Sequence, residues 1–380
     1  MNKGIIVVLL SFLSYARLSG QMIIPNAVML PPTLKNDSTI FKDHINQFLQ
    51  KMNEGHIDTS MVYGRNIDLA VSVFNSFIGY QDENDSIQSI YTPYLINIFP
   101  VSDNQYEVSV AFIDAEVLKA FVRFLIRAEN GQYKFSLLLD RNTADWQTTQ
   151  VGTVKYYHRK PLNMAVAKNF DATNQEIARK FGLTPDSFDF YLNHDYQEAL
   201  NILGIEYDVL VNGEYRDGSG VDAKTIFAIT GSEDFSHDVF HYYSEKIRTE
   251  KRNYPADEGF AYLWGNAYYT DKANNMISVD QLVVELRKYI QQNPDVDLLE
   301  LFNKRPYIFT EPAPELNIKS LLSALICNDI EKKHGMEGVK KLLNCGRGDD
   351  NFFKVTKELI GLDRSNFNTE LIVLMEQFKR

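Results

Sequence analysis

The fold of the second half of this chain is decided by two adjacent segments, Thr225-Ile226-Phe227-Ala228-Ile229 and Ser232-Glu233-Asp234-Phe235-Ser236-His237-Asp238-Val239-Phe240-His241-Tyr242-Tyr243-Ser244. The first is a short apolar run, which is typical of a buried strand. The second begins with Ser232, a good N-cap residue, followed directly by two acids that suit the positive end of a helix. Phe240, Tyr243 and Ile247 then fall on one face at helical spacing. The two segments therefore predict a strand that runs directly into a helix with an apolar face.

Two histidines on this predicted helix are candidates for metal binding. His237 and His241 are four residues apart, so one helical turn brings both imidazoles to the same side. Nitrogens at this spacing can reach one tetrahedral ion at ~2.0–2.1 Å. Core or capping histidines that bind nothing are the alternative for such a pair. The acid Asp238 directly after the first histidine, and the acid pair Asp257-Glu258 downstream, favour the metal site over that alternative.

These residues resemble the pattern of the gluzincin superfamily of zinc metallopeptidases. Members of that superfamily carry His-Glu-x-x-His on a helix and a downstream Glu, often followed by Gly, as the third ligand. In this chain the pattern reads His237-Asp238-Val239-Phe240-His241 and then Glu258-Gly259, and the resemblance covers about residues 185–380. It implies that His237, His241 and Glu258 bind zinc and leave a fourth position open for water. It also implies that Asp238 is the general base for water attacking a peptide carbonyl.

One position departs from the family pattern, because Asp238 stands where the family has Glu. The aspartate carboxylate is shorter by one carbon–carbon bond, ~1.5 Å, and a displacement of that size can cost on the order of a hundredfold in rate. A compensating backbone shift, a slow enzyme and a zinc-holding domain that no longer hydrolyses are the three alternatives. The role of Asp257, which directly precedes the third ligand, is also open. It either ligates the metal in place of Glu258 or orients a ligand histidine.

The rest of the chain divides into three predicted parts. Residues 1–20 are a predicted signal peptide, because Lys3 precedes an apolar run at residues 5–13 and small residues precede Gln21. Residues 21–160 are a predicted α+β domain, with helices at 38–55 and 68–80, a meander of strands at 106–112, 120–126 and 133–139, and a further strand at 151–158. Asn130-Gly131 predicts a hairpin turn in that meander. The element order resembles that of nuclear transport factor 2-like domains.

Residues 161–380 form the predicted gluzincin-like domain, so the whole chain is expected to be α+β. Its elements are a helix at 162–181, strands at 188–192 and 225–229, a turn-rich stretch at 204–222, the zinc-site helix, and a helical tail. The tail comprises helices predicted at 279–292, 317–334, 337–343, 351–360 and 367–378.

Composition excludes some functions and compartments. Lys plus Arg number 39 against 50 for Asp plus Glu, a net charge of −11, which argues against nucleic acid as a partner. The two cysteines, Cys327 and Cys345, cannot form a four-thiolate zinc site, and they are either bonded to each other or free. No stretch after the signal peptide is apolar enough to span a bilayer, so we expect an exported protein without an integral membrane segment. The sequence carries no indication of oligomeric state.

Two functions follow from the sequence. The first is a secreted zinc metallopeptidase-like hydrolase that acts on a peptide or protein substrate. The alternative is a non-catalytic pseudo-peptidase that serves as a ligand- or protein-binding module, and Asp238 is the residue that keeps this alternative open.

Overall fold

The computed structural model describes residues 30–31, 34, 38–77, 91–114, 116–209, 218–271, 275–310 and 316–378. The predicted signal peptide at residues 1–20 lies outside these residues. The chain forms two compact units, one of residues 1–141 and 203–213 and the other of residues 142–202 and 214–380. Each combines helices with a five-stranded sheet, which confirms the predicted α+β class. Among the described helices, not one has the length and apolar character needed to cross a bilayer.

The first unit packs two helices against a largely antiparallel meander. Its elements are α1 (Ser38–Glu54), a 3-10 turn (Thr59–Met61), α2 (Ile67–Asn75), β1 (Thr92–Ser102), β2 (Gln105–Asp114), β3 (Val117–Glu129), β4 (Gln132–Ser136), α3 (Leu139–Asn142) and β8 (Ile205–Asp208). The strand order is β1-β2-β3-β4, and β8 pairs with β3. The predicted helix at 38–55 is confirmed, and its apolar face is buried: Phe41, Ile45, Phe48, Leu49 and Met52.

Most of the predicted meander is confirmed, with two differences. Asn130 and Gly131 have φ angles of 53° and 77°, and they join strands that pair from Glu129 to Gln132, as a tight hairpin requires. The strand predicted at 133–139 ends at Ser136, and the short helix α3 follows it. Strand β1 was not predicted, because this edge strand contains two prolines and its buried residues do not alternate regularly.

The second unit contains a mixed sheet and a helical C-terminal part. Its elements are β5 (Gln147–Val151), β6 (Val154–His158), α4 (Met164–Phe181), β7 (Phe188–Leu192), α5 (Tyr196–Leu203), β9 (Gly218–Asp222), β10 (Thr225–Ala228), α6 (Ser236–Ile247), α7 (Tyr254–Trp264), α8 (Val279–Gln292), α9 (Leu298–Lys304), α10 (Ile318–Leu343), α11 (Asp349–Ile360) and α12 (Phe367–Gln377). The strand order is β5-β6-β7-β10-β9, with β6, β7 and β10 parallel.

One predicted strand belongs to a different sheet from the one expected. The stretch 151–158, which the sequence assigned to the N-terminal domain, divides at Gly152 (φ 56°) between β5 and β6. β6 pairs in parallel with β7, so this hairpin is part of the second sheet and not of the meander. Parallel pairing joins segments that are distant in sequence, and local alternation of residues does not report it.

Helix α7 lies close to α10, and this close approach explains why the residue after Glu258 is a glycine, Gly259. A Cβ atom at Gly259 would lie 2.7 Å from Sγ of Cys327 and 2.9 Å from the carbonyl carbon of Ser323. Only glycine permits this approach of the two helices. Cys327 is buried and Cys345 is half-buried, and both are free thiols.

Candidate metal centre

Two helices of the second unit position the predicted site. α6 carries His237 and His241, and α7 carries Asp257 and Glu258. Ser232 does not cap α6, contrary to the prediction, because the helix begins only at Ser236. The carboxylate of Asp234 accepts a hydrogen bond from the backbone N–H of Ser236 at 2.9 Å and thereby satisfies a free donor at the helix start.

The three side chains named as zinc ligands converge on one point. The Nε2 atoms of His237 and His241 are 3.1 Å apart, and they lie 3.5 Å from Oε2 and 3.5 Å from Oε1 of Glu258, respectively. Ligand atoms bound at ~2.0–2.1 Å to a tetrahedral ion lie roughly 3.3–3.4 Å apart. The observed separations bracket that value. Among the described residues, this is the only group of three or more His, Cys, Asp or Glu side chains that meets the geometry for holding a metal ion.

The outer nitrogens of both imidazoles have acceptors that fix their protonation. Nδ1 of His237 lies 2.9 Å from the carbonyl oxygen of Asn266, and Nδ1 of His241 lies 2.8 Å from Oδ2 of Asp257. A carbonyl or carboxylate oxygen can only accept a hydrogen bond, so each Nδ1 carries the hydrogen. In a neutral imidazole Nε2 then carries a lone pair. Two such lone pairs 3.1 Å apart repel each other unless a metal ion or a proton lies between them. The arrangement therefore favours a cation at this point.

Asp257 orients His241, one of the candidate ligands, and is not itself part of the cluster of three. Its Oδ2 accepts from His241, and its Oδ1 accepts from the hydroxyl of Ser244 at 2.7 Å. Arg248 and Arg252 add ion pairs at 3.4 Å and 2.5 Å to the two oxygens. The side chain is only 2% exposed. Of the two roles that the sequence left open for Asp257, the geometry matches orientation of a histidine by a neighbouring carboxylate.

The local charges keep both carboxylates of α7 ionised. Burial by itself raises the pKa of Glu258, but the hydrogen bond and charge of His237, with smaller contributions from His241 and Arg252, lower it to about 2. Burial also raises the pKa of Asp257, but the hydrogen bond and charge of His241, together with the charge of Arg252 and the hydrogen bond from Ser244, lower it overall. Burial lowers the pKa of His237, yet the carboxylate of Glu258 more than compensates, and the net shift is upward.

Asp238 is a half-buried residue with one unsatisfied carboxylate oxygen. Its Oδ2 is inaccessible to solvent and accepts no hydrogen bond from the described residues. Burial raises the pKa of Asp238, and the charges of His237, His241 and Glu258 act on it at short range. A buried polar atom without a partner is costly and calls for an explanation, such as a ligand or water that it contacts.

Two tyrosines line the cluster. The ring of Tyr262 is nearly fully buried and lies 5.7 Å from the ring of His237, measured between centroids. Tyr268 lies 5.4 Å from the same imidazole on the loop after α7. Both rings meet His237 edge to face, so they also hold its orientation.

Sequence reasoning missed three contributors to the site. The first is Arg252, whose Nη2 lies 2.6 Å from Oε1 of Glu258. The carbonyl of Asn266 and the hydroxyl of Ser244 complete the hydrogen bonds described above. The position of Arg252 directly before α7 is a usable indication, whereas a backbone carbonyl leaves none in the sequence.

Comparisons of the chain with family models, with curated proteins and with solved structures return no match. The functional argument therefore rests on the chemistry and geometry of the chain's own residues.

Proposed function

We propose that this protein is an exported zinc-dependent hydrolase that cleaves peptide bonds. The observation that carries the proposal is the convergence of three side chains able to ligate a metal, together with the adjacent Asp238, whose buried Oδ2 has no hydrogen-bond partner among the described residues. Export follows from the predicted signal peptide at residues 1–20. The choice of a peptide bond follows from the resemblance of His237-Asp238-Val239-Phe240-His241 and Glu258-Gly259 to the gluzincin pattern.

The donor set suits zinc. Two imidazole nitrogens and one carboxylate oxygen are the ligands of several catalytic zinc sites, which leave a further position for water or substrate. Imidazole favours zinc and its neighbours among the transition metals over calcium or magnesium, which prefer oxygen donors. A divalent ion held by His237, His241 and Glu258 would polarise a carbonyl and lower the pKa of a bound water.

Asp238 is the proposed general base. Its position on α6 directly after His237 brings its carboxyl into electrostatic contact with all three ligands. Burial raises its pKa toward the range in which a carboxylate both ionises at neutral pH and accepts a proton effectively. The unsatisfied Oδ2 is the atom available to accept that proton. Asp257 and the carbonyl of Asn266 hold the two imidazoles in the tautomer that presents Nε2.

The first experiment is metal analysis of the purified protein. We expect one equivalent of zinc in the natural protein, and less than a tenth of that in a variant with both His237→Ala and His241→Ala. The matched control is His194→Ala together with His334→Ala, since these exposed histidines have other partners: Asp195 and the carbonyl oxygen of Leu359. Absence of zinc from the natural protein, or equal zinc in all three proteins, would end the proposal.

A second experiment separates a working enzyme from a non-catalytic binding module. The module remains a candidate because Asp238 is one methylene shorter than the glutamate of the family pattern. Chelator-sensitive cleavage of a peptide library is compared for the natural protein and for Asp238→Glu and Asp238→Asn. Activity in the natural protein that is lost in Asp238→Asn supports the hydrolase. Activity only in Asp238→Glu supports a module derived from an enzyme.

A further inference from the structure

Arg252 contacts the cluster through atoms that a metal ion also needs. Its Nη2 lies 2.6 Å from Oε1 of Glu258 and 3.4 Å from Nε2 of His241. Its Nε is 2.5 Å from Oδ2 of Asp257, which anchors the base of the guanidinium to α7. The side chain of Arg252 is 43% exposed, whereas that of Glu258 is only 14% exposed, so the guanidinium lies on the solvent side of this carboxylate.

We propose that Arg252 is an internal competitor of the metal, a positively charged group that neutralises Glu258 in the metal-free protein and is displaced from it when a divalent cation binds. The inference rests on the proposed function, because it takes His237, His241 and Glu258 as the metal ligands. It adds a control on metal affinity that is built into the segment between α6 and α7.

The competition follows from the positions of the charges. Three carboxylates, those of Asp238, Asp257 and Glu258, act in the region of the cluster, and Arg248 and Arg252 oppose them. Arg252 is the arginine that reaches both a ligand carboxylate and a ligand imidazole. A divalent ion within bonding distance of Oε1 and Nε2 would lie only a few ångströms from this guanidinium, where two cations repel each other strongly. Metal binding therefore requires Arg252 to release Glu258 or to move toward solvent.

A merely structural role for Arg252 makes the opposite prediction. If the guanidinium served only to hold Glu258 in position for the metal, its removal would disorder that ligand and weaken zinc binding. If it competes for the same oxygen, its removal strengthens zinc binding. The sign of the change in affinity decides between these roles, and the measurement does not depend on whether the loaded protein hydrolyses anything.

The test measures zinc affinity by competition with a chromophoric chelator at constant pH and ionic strength, using Arg252→Gln and the control Arg248→Gln. Arg248 also pairs with Asp257, but the contacts recorded for the described residues join it to neither Glu258 nor His241. We expect Arg252→Gln to bind zinc about fivefold more tightly, the upper end of the range for a partly exposed ion pair. For Arg248→Gln we expect a change of no more than about twofold.

Each outcome has a defined meaning. Unchanged or weaker binding by Arg252→Gln overturns the inference, as does an equal gain in both variants, which would indicate a general effect of charge. If neither the natural protein nor Arg252→Gln binds zinc, the metal site itself is wrong, and the inference fails with the proposed function. If Arg252→Gln does not fold, Arg252→Lys replaces it, since one ammonium group cannot bridge Asp257 and Glu258 as the guanidinium does. A gain in zinc affinity of Arg252→Lys that is smaller than the roughly fivefold gain expected for Arg252→Gln supports the inference. Unchanged or weaker zinc binding by Arg252→Lys overturns it.

Discussion

Replacement of Asp257 by Asn tests whether a carboxylate behind His241 controls the proposed metal site. The substitution keeps the shape of the side chain and removes its charge. In the natural protein one oxygen accepts from Nδ1 of His241 at 2.8 Å, and the other accepts from the hydroxyl of Ser244 at 2.7 Å. An asparagine oxygen can satisfy only one of these sides, and its amide nitrogen then faces Arg248 or Arg252, which are donors as well.

The expected magnitude follows from those contacts. Loss of a partner that orients a metal-ligating histidine usually lowers metal affinity about 10–100-fold, or ~1.4–2.7 kcal/mol. The fold is also weakened, because the carboxylate is buried, Arg248 loses its ion pair with Asp257, and Arg252 keeps only its ion pair with Glu258. Breaking a buried pair costs about 3–5 kcal/mol. We expect about 2–3 kcal/mol here, since Arg252 is 43% exposed and can regain water.

Zinc affinity is measured by chelator competition and stability by urea unfolding of the metal-free protein. Asp363→Asn provides a matched control, because Asp363 pairs with Lys357 elsewhere in the second unit and should leave zinc affinity unchanged. Zinc affinity of Asp257→Asn within about twofold of the natural value would refute the argument that Asp257 orients His241. A loss as complete as that of Glu258→Gln would mean that Asp257 is itself a ligand.

Three further predictions concern the two helices and the charges of the second unit. Gly265→Ala should destabilise the protein by about 1–3 kcal/mol in urea unfolding, because the new Cβ would lie 2.8 Å from the backbone nitrogen of His237; stability equal to the natural protein would contradict the close contact. Lys319→Met should change stability by less than about 1 kcal/mol, since burial lowers the pKa of Lys319 and its partner Asp349 can turn to water, whereas Lys319→Ala leaves a cavity and should cost about 2 kcal/mol or more. The lowered pKa of Glu258 contributes stability above the unfolded-state pKa of about 4.3, and this stability is lost as the pH falls toward about 2. In Glu258→Gln the urea midpoint should therefore fall less steeply between pH 5 and pH 3 than in the natural protein. An equal fall in both proteins would refute the lowered pKa of Glu258.

Local periodicity was sufficient to predict many of the elements. The helix at 279–292 and the strand at 188–192 have the predicted bounds, because each buries a regular pattern of its own side chains. The helices predicted at 317–334 and 337–343 are both present in α10, where the non-helical Gly335 (φ 58°) separates them at a kink. The strand β1 was missed, since it exposes Phe99 and Val101 and so lacks the alternation that marks a strand with one buried face.

The site was predictable to the extent that residue type and spacing encode it. His237, His241 and Glu258 have side chains whose chemistry is visible in the sequence, and the structure brings them together. Only the geometry could distinguish the two roles of Asp257, because an acid beside a metal ligand can either bind the metal or orient the ligand. The acceptor for His237 is a backbone carbonyl, which any residue at position 266 supplies, so no residue type announces it.

The convergence of the three side chains depends on two glycines that allow α7 to pack closely against α10 and α6. In the middle of α7 Gly259 lies against Ser323 and Cys327 of α10, and at the C-terminal end of α7 Gly265 lies against Ser236 and His237 in the first turn of α6. Side chains at either position would push α7 away, and Glu258 would move with it relative to the two histidines on α6. The short separations among the three ligand atoms are therefore set by backbone contacts on both sides of α7. A site whose ligands are held this way before any ion arrives pays little ordering entropy on binding, which is the physical basis of preorganisation.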